Sequence, residues 1–265
     1  MEIPDDRCGP SRRLVALFLG TAFIPGRAHA EALPAVTVAA AADLRLALDQ
    51  IAAAFEKAQG ATVRITYGSS GNLARQIAQG APFELFLSAD EALAQRLIDS
   101  GHATAPGALY GIGRLALIAR KASAIEAEAG LATIPAALTG GAITRFAIAN
   151  PEHAPYGARA REALQNFGVW DQLQGRLVLA ENVAQAAQFV ATGAADAGMT
   201  ALPLVKVGDA LATLRFSVVP VEYHTPLRQR MVLAKQAGAP ARALYAFIAS
   251  PGAQAILRTF GFEQP

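Results

Sequence analysis

Four short segments of the chain combine small residues with hydrogen-bond donors, and each stands where an apolar run gives way to an amphipathic one. They are Ala40-Ala41-Ala42-Asp43, Gly68-Ser69-Ser70-Gly71, Asn150-Pro151-Glu152-His153-Ala154-Pro155-Tyr156-Gly157 and Glu181-Asn182-Val183. A turn that opens a helix offers unpaired backbone N–H groups and the positive end of the helix dipole. Ser69, Ser70 and Tyr156 add hydroxyl donors, while none of the four segments contains Lys or Arg. Donors without a countercharge favour a small anion held by hydrogen bonds and dipoles.

Helix capping is the alternative explanation of these turns. Ser, Asp and Asn are good N-cap residues, so each turn taken separately needs no ligand to account for it. The pattern of the turns leaves both interpretations open.

The order of the surrounding elements determines where these turns lie. The predicted strands are 35–41, 62–67, 85–88, 115–120, 145–149, 177–180, 197–201, 216–221 and 230–234. The predicted helices are 44–59, 72–79, 91–100, 157–167, 184–192, 240–250 and 251–260. Repetition of strand, small-residue turn and helix predicts parallel pairing with crossover helices. In open α/β sheets ligands bind beyond the carboxyl ends of the strands, which is where the four turns stand.

Composition excludes several classes of protein. The chain has 265 residues, of which 53% are apolar and 17% charged, with a formal net charge of +2. That balance lacks the basic surface of a nucleic-acid-binding protein, so we expect no nucleic-acid partner. The apolar content is too high for a disordered chain, and no apolar run reaches the roughly 18–20 residues that span a bilayer.

The first thirty residues are predicted to be a secretory signal peptide. Arg12 and Arg13 precede the apolar run 14–24, and Ala28-His29-Ala30 supplies small residues at a cleavage site. The alternative, a membrane anchor, would need a longer apolar run. We therefore expect a periplasmic protein, and the choice between general and twin-arginine export stays open. Cleavage would also remove Cys8, the only cysteine, which leaves neither disulfide nor thiol chemistry.

Enzyme chemistry finds little support in the sequence. The run from Gly111 to Ala116 matches the G-x-G-x-x-A pattern of dinucleotide-binding sites, but its glycines lead into an apolar strand instead of a helix. The histidines at 102, 153 and 224 have no spacing typical of metal ligands. Ser69 and Ser70 lack a G-x-S-x-G motif, and the sequence assigns them no His or Asp partner. We expect no catalytic residue and no cofactor.

The turns, taken together, resemble those of the periplasmic molybdate-binding proteins of ABC importers. The resemblance lies in Val36-Thr37-Val38-Ala39-Ala40-Ala41-Ala42-Asp43-Leu44, Gly68-Ser69-Ser70-Gly71-Asn72-Leu73-Ala74-Arg75-Gln76-Ile77, Gly80-Ala81-Pro82-Phe83, Leu87-Ser88-Ala89-Asp90, the segment 150–157, Glu181-Asn182-Val183 and Phe260-Gly261-Phe262. It implies an α/β, two-lobed, type II periplasmic-binding-protein-like fold. Each lobe would be a mixed, mostly parallel sheet flanked by helices, with the ligand cleft between the lobes. Residues 31–114 plus 223–265 would form lobe I, and residues 115–222 lobe II.

The resemblance also implies a ligand and the residues that hold it. Molybdate or tungstate would be bound by hydroxyl and amide groups without a countercharge, and then delivered to an importer permease. We expect a monomer, because one cleft that closes between two lobes needs no partner chain. The implied ligand-binding residues are Ala42, Asp43, Ser70, Ala89, Tyr156 and Val183. Of these, Ser70, Tyr156 and Val183 would contact the oxygen atoms of the anion and would not ligate the metal directly. From the sequence alone, each histidine is expected to be a surface or loop residue, and a position near the mouth of the cleft is the alternative for His153.

Two departures from the family pattern bear on the ligand. Many relatives have Ser or Thr where this chain has Ala42, which removes one hydroxyl donor, whereas a ligand tyrosine absent at Ala201 would be replaced by Tyr156. The carboxylate of Asp43 would repel a dianion, so we expect it to turn away as a helix cap. The same fold binding sulfate, phosphate or a small organic acid is therefore the alternative function, and an exported enzyme on the same two lobes is a third.

Overall fold

The computed structural model describes Glu2 and residues 35–208 and 210–265. The predicted signal peptide lies outside the described residues, apart from Glu2. No helix among the described residues is long and apolar enough to cross a membrane.

The unit Leu33–Pro265 contains two β-sheets. In chain order their strands are β1 (Val36–Ala41), β2 (Val63–Gly68), β3 (Leu85–Ser88), β4 (Ala108–Gly113), β5 (Leu115–Arg120), β6 (Phe146–Ala149), β7 (Leu177–Ala180), β8 (Ala197–Ala201), β9 (Leu214–Val218) and β10 (Leu227–Leu233). They form two five-stranded sheets, ordered β2-β1-β3-β10-β4 and β7-β6-β8-β5-β9.

Helices connect the strands and cover the sheets. They are α1 (Arg45–Gln59), α2 (Ser70–Ala78), α3 (Glu91–Asp99), α4 (Thr133–Thr139), α5 (Pro155–Phe167), α6 (Trp170–Leu173), α7 (Val183–Thr192), α8 (Ala210–Thr213), α9 (Ala239–Ile248) and α10 (Pro251–Phe260). Single 3-10 turns precede or separate several of them, including Ala42–Leu44 before α1 and Leu202–Leu204 after β8. In α1, Leu48, Ile51 and Phe55 recur at helical spacing and are buried against the first sheet.

The predicted mixed sheets are confirmed, but they are not mostly parallel as expected, because the chain returns to each sheet in antiparallel strands. In the first sheet β1 pairs in parallel with β2 and β3, while β10 pairs antiparallel with β3 and β4. In the second sheet β6 pairs in parallel with β7 and β8, while β5 pairs antiparallel with β8 and β9. The described residues of each sheet thus contain equal numbers of parallel and antiparallel pairs.

The structure differs from the sequence-based expectation in β4, in β9 and in the start of β10, which begins at Leu227, and it contains helices α4, α6 and α8, which were not predicted. The segment with Gly111 and Gly113 forms strand β4, which was not predicted because glycine disfavours strands. The strand expected at 216–221 lies instead at Leu214–Val218, where it pairs with residues 116–120 of β5.

The chain passes between the two sheets at two neighbouring places. It leaves the first sheet at Arg114 and returns through residues 219–226. The guanidinium of Arg114 donates to the backbone oxygen of Val219 at 3.3 Å, and Val219 N donates to Leu115 O at 2.8 Å. The strands of the two sheets therefore divide along the chain as the predicted lobes do, while the exact lobe bounds stay a prediction.

Candidate functional site

Parallel strands of both sheets end around one cavity. β1, β2 and β3 end at Ala41, Gly68 and Ser88, and β6 and β7 end at Ala149 and Ala180. The cavity is lined by Ala41, Ala42, Asp43, Gly68, Ser69, Ser70, Ala89, Ala154, Pro155, Tyr156, Asn182 and Val183. All six residues predicted to bind the ligand are in this set, and it contains neither Lys, Arg nor His.

The cavity is narrow in this conformation. It leaves about 10 Å³ for the centre of a water-sized sphere, which is close to what one water molecule needs. A four-oxygen anion is larger, so its entry requires the two sheets or the lining side chains to move apart.

Ser70 lies at the start of α2, with Ser69 as the N-cap residue. The N–H groups of the first helical turn have no partner inside the helix, so the Ser70 amide is a donor at the cavity wall. The Ser70 hydroxyl oxygen accepts the Ala89 amide at 3.0 Å. Its own proton remains available for a further acceptor, so Ser70 can donate both its hydroxyl and its amide.

Val183 is the first residue of α7, on the opposite side of the cavity. The side chain of Asn182 caps this helix: its Oδ1 accepts the amides of Ala184 and Gln185, both at 3.1 Å. The Val183 amide precedes these two and has no partner within the helix. The cap therefore leaves the foremost donor of α7 directed to the site.

The expectation that Asp43 caps a helix is wrong. Ala41 is the N-cap residue of the 3-10 turn, and the turn has no side-chain cap. Asp43 is fully buried, and its Oδ2 accepts the side-chain amide of Gln229 at 2.6 Å. Its Oδ1 is buried without a hydrogen-bond partner. Burial raises the pKa of Asp43 to about 6, although hydrogen bonds from the side chains of Gln229 and Tyr156 and from the backbone amides of Asp43 and Leu44 oppose the rise.

Tyr156 closes the same network from the second sheet. It lies in the first turn of α5, and its hydroxyl is 3.2 Å from Nε2 of Gln229. Burial and the neighbouring Asp43 raise the pKa of Tyr156 well above its ordinary value, so the phenol keeps its proton. In this conformation the hydroxyl is turned to Asp43 and Gln229, so it reaches a bound anion only if this network rearranges.

Gln229 and Gly113 belong to the site and were missed from the sequence. Gln229 is fully buried between the inward-facing Leu227 and Met231 of β10. A polar residue at an inward position of an alternating strand is the signal that could have found it. A Cβ on Gly113 would lie 2.2 Å from the Tyr156 hydroxyl and 2.5 Å from Gln229 Nε2. The second glycine of the G-x-G pattern thus makes room for this network.

His153 joins the two sides at the mouth of the cavity. Its backbone oxygen accepts the Gly71 amide at 2.9 Å, and its Nδ1 lies 2.9 Å from the Ser69 hydroxyl. Asn72 donates to Glu181 on the same rim. These contacts link α2 of the first sheet to loops of the second, and they place His153 at the position that was only the alternative in the sequence analysis.

Ser69 therefore has a histidine partner, which the sequence did not assign. Glu181 lies 3.7 Å from Nε2 of His153, beyond hydrogen-bonding distance. A serine nucleophile needs a histidine that a third group orients by a hydrogen bond, and Glu181 does not supply one. The described residues also contain no group of three or more His, Cys, Asp or Glu suited to a metal ion.

The sequence matches a known protein family and several known proteins over most of its length. A family model described as bacterial extracellular solute-binding protein matches residues 36–263. The chain is 34% identical over 245 residues to molybdate-binding protein ModA of Rhodobacter capsulatus, covering 91% of this chain and 93% of that protein. It is 33% identical over 265 residues to molybdate-binding protein ModA of Escherichia coli (strain K12), covering 95% and 98%.

A solved structure gives the same result in three dimensions. The periplasmic molybdate-binding protein of Azotobacter vinelandii superposes with a TM-score of 0.78 at 32% identity, over 87% of this chain and 99% of that one. The agreement confirms the two-lobed type II fold, with two mixed sheets flanked by helices. From the family match and these relatives together, the chain belongs to the bacterial extracellular solute-binding proteins.

Proposed function

We propose that this protein captures molybdate or tungstate outside the cytoplasm and delivers it to the membrane permease of an ABC importer. The observation that carries the proposal is a cavity, free of cationic side chains, at which the first turns of α2, α5 and α7 and the 3-10 turn before α1 converge. Helix N-termini bind anions through free amides and the positive end of the dipole. Relatives that share most of the chain are named molybdate-binding proteins.

Each binding residue has a distinct role in this proposal. Ser70 donates its hydroxyl and amide, Ala42 and Val183 donate backbone amides, and Asp43 and Ala89 line the cavity. Tyr156 contributes its hydroxyl once it turns from Gln229. These groups contact the oxygen atoms of the anion, so its metal atom has no protein ligand. The protein acts as a carrier: it needs no resident cofactor and performs no catalysis.

The donor set is sufficient for tight binding. A hydrogen bond to a charged group contributes about 1.5–3 kcal/mol. Five or six such bonds reach the roughly 8–12 kcal/mol of micromolar to nanomolar affinity after the cost of closing the site is subtracted. Selection among tetrahedral dianions then depends on cavity size, because sulfate, molybdate and tungstate carry the same charge.

The proposal includes export of the chain and its docking on the permease. An N-terminal signal peptide, residues 1–30, directs the chain to the periplasm, where it works as a monomer because its cleft closes between two lobes of one chain. The loaded protein then docks on the importer permease.

Calorimetric titration of the mature protein tests this function. After bound anion is stripped, the protein is titrated with molybdate, tungstate, sulfate and phosphate at one pH. We expect affinity in the micromolar to nanomolar range for the first two and at least a hundredfold weaker binding of the others. Tight binding of sulfate or phosphate alone would assign a different anion to the same fold, and binding of none of the four would contradict the proposed function.

A further inference from the structure

We propose that Asp43 holds a proton whenever the anion is bound, so that capture of the anion is coupled to proton uptake. This inference rests on the proposed function, because it concerns the same cavity. It makes Asp43 a specificity-determining residue, which presents a neutral acid to the ligand in place of a carboxylate.

The position of Asp43 is the first argument. It follows β1 in the cavity wall, beside the donors Ser70 and Val183, and its side chain is fully buried. Oδ2 accepts from Gln229, whereas Oδ1 has no hydrogen-bond partner. A buried carboxylate oxygen without a partner is unfavourable. A proton on Oδ1 would convert this atom from an unpaired acceptor into a donor.

The surroundings of Asp43 supply no positive charge. Among residues 35–208 and 210–265, no Lys, Arg or His forms an ion pair with it. The titratable groups that interact electrostatically with Asp43 are Tyr156 from α5 and Tyr110 from β4. Burial and the charge of Asp43 raise the pKa of both phenols above the ordinary value. Both phenols therefore stay neutral.

Several charged residues on the elements around Asp43 contact other groups. On α1, the guanidinium of Arg45 lies over the ring of Tyr67. On β10, Arg228 and Arg230 flank Gln229 and both pair with Glu91. The segments Leu202–Leu204 and Val183–Thr192, which also pack against the 3-10 turn, contain no charged residue.

An anion in the cavity would bring negative charge close to Asp43 and so raise its pKa. In the ligand-free protein, burial already raises the pKa of Asp43 to about 6. A dianion nearby disfavours the ionised carboxylate further, since charges of like sign repel strongly in a buried, weakly screened site. The acid form is free of this repulsion and can donate a hydrogen bond. The pKa of Asp43 is therefore higher in the complex than in the free protein.

This difference predicts how affinity depends on pH. Below about pH 6 Asp43 is protonated in both states, so the affinity is constant. Above pH 6 the free protein loses the proton that the complex keeps, so the affinity falls by up to tenfold for each pH unit. The fall stops where the complex also ionises.

Calorimetry counts the proton directly. Molybdate is titrated into the mature protein at pH 7.5 in two buffers of different ionisation enthalpy, and the affinity is followed from pH 6 to pH 8.5. We expect uptake approaching one proton in the wild-type chain and none in Asp43→Asn, whose affinity is independent of pH and exceeds that of the wild type at pH 8. Asp90→Asn is the matched control: Asp90 caps α3 without lining this cavity, so we expect the wild-type proton uptake.

The outcomes separate this inference from the proposed function. Wild-type binding of molybdate without proton uptake would overturn the inference and leave the proposed function standing. Loss of binding in a folded Asp43→Asn protein would also overturn it, because the ionised carboxylate would then be needed as an acceptor. Failure of the wild-type chain to bind any oxyanion would remove both. The wild-type proton count decides the matter even if Asp43→Asn fails to fold.

Discussion

At the scale of single residues, the site is defined by which donors the protein leaves unpaired. Asn182 satisfies the second and third amides of α7 and leaves the amide of Val183 for a ligand. Ser70 accepts from Ala89 and keeps its own proton to donate. Asp43 is the exception, because its carboxylate accepts hydrogen bonds, whereas Ser70 and Val183 donate them. Its buried position gives it a pKa near 6, unlike an ordinary carboxyl group.

Removal of the Ser70 hydroxyl should weaken anion binding. We expect Ser70→Ala to raise the dissociation constant for molybdate by about ten- to hundredfold, the effect of one hydrogen bond to a charged group. Titration calorimetry measures the change. Ser123→Ala is a matched control, since the Ser123 hydroxyl bonds to Arg120 O and does not line the cavity. Equal affinities of the two variants would contradict the assigned role of Ser70.

Asp43 should also affect the stability of the ligand-free protein. Its folded pKa of about 6 lies above the ordinary 3.8, so the folded chain binds this proton more tightly than the unfolded chain. The free energy of unfolding should therefore fall by about 3 kcal/mol from this group as pH rises from 4 to 6, and then stay constant.

Urea denaturation of the wild type and Asp43→Asn at several pH values measures this contribution. Glu162 and Asp196 have lowered pKa values and act in the opposite direction, but they are common to both proteins and cancel in the difference. The Asn variant should gain stability relative to the wild type between pH 4 and 6. A difference that does not change with pH would mean that Asp43 titrates normally.

At the scale of elements, the site depends on where strands end and helices begin. The four turns predicted from the sequence follow β1, β2, β6 and β7, and the cavity lies at their carboxyl ends. Strand β4 contributes space to the site, because Gly113 has no side chain. Gly113 presents bare backbone to the Tyr156 hydroxyl and to Gln229, so two side chains from opposite sheets can meet.

Filling this space should disrupt the network. Gly113→Ala would place a methyl group in contact with Tyr156 and Gln229, and we expect a loss of about 1–3 kcal/mol in stability together with more than tenfold weaker anion binding. Gly111→Ala lies in the same strand, and its Cβ would meet Phe262 Cβ at 3.3 Å, so a smaller effect is expected. Thermal denaturation and calorimetry of both variants test this, and identical behaviour would refute the role of Gly113.

At the scale of the whole molecule, the cavity forms only because two sheets face each other. Donors on α2 come from the first sheet and donors on α5 and α7 from the second. Ser69, Gly71 and Asn72 reach across to His153 and Glu181 at the rim. Two neighbouring chain crossings join the sheets, so relative movement of the lobes can open the narrow cavity.

The rim contacts should slow the escape of a bound anion. His153→Ala removes the contact with the Ser69 hydroxyl, and one hydrogen bond of about 0.5–1.5 kcal/mol corresponds to a two- to tenfold faster dissociation rate. Stopped-flow displacement measures this rate. His102→Ala is the control, because His102 contacts Ser100 and does not line the cavity. An unchanged rate in His153→Ala would show that the rim does not hold the cleft shut.

Local patterns in the sequence were enough to predict the α/β class, most strands and helices, and the four turns. Apolar periodicity and small residues act over a few positions, so they can be recognised without knowledge of the fold. The same holds for the positions of Ser70 and Val183 near helix starts, whereas the ligand-binding roles proposed for them came from the resemblance. The resemblance to a known family supplied the two-lobed arrangement and the ligand that is proposed for the site.

Only the tertiary structure decided how Asp43, Gln229, Tyr156 and Gly113 meet. Asp43 and Gln229 are 186 positions apart in the chain, and their side chains bond at 2.6 Å. The sequence pattern favoured a helix cap for Asp43, because capping is a local interaction, whereas burial is set by what packs against a residue. The four turns and their donors were thus determined by local sequence, while the protonation and pairing of the groups between them depend on the facing of two sheets, which no short segment specifies.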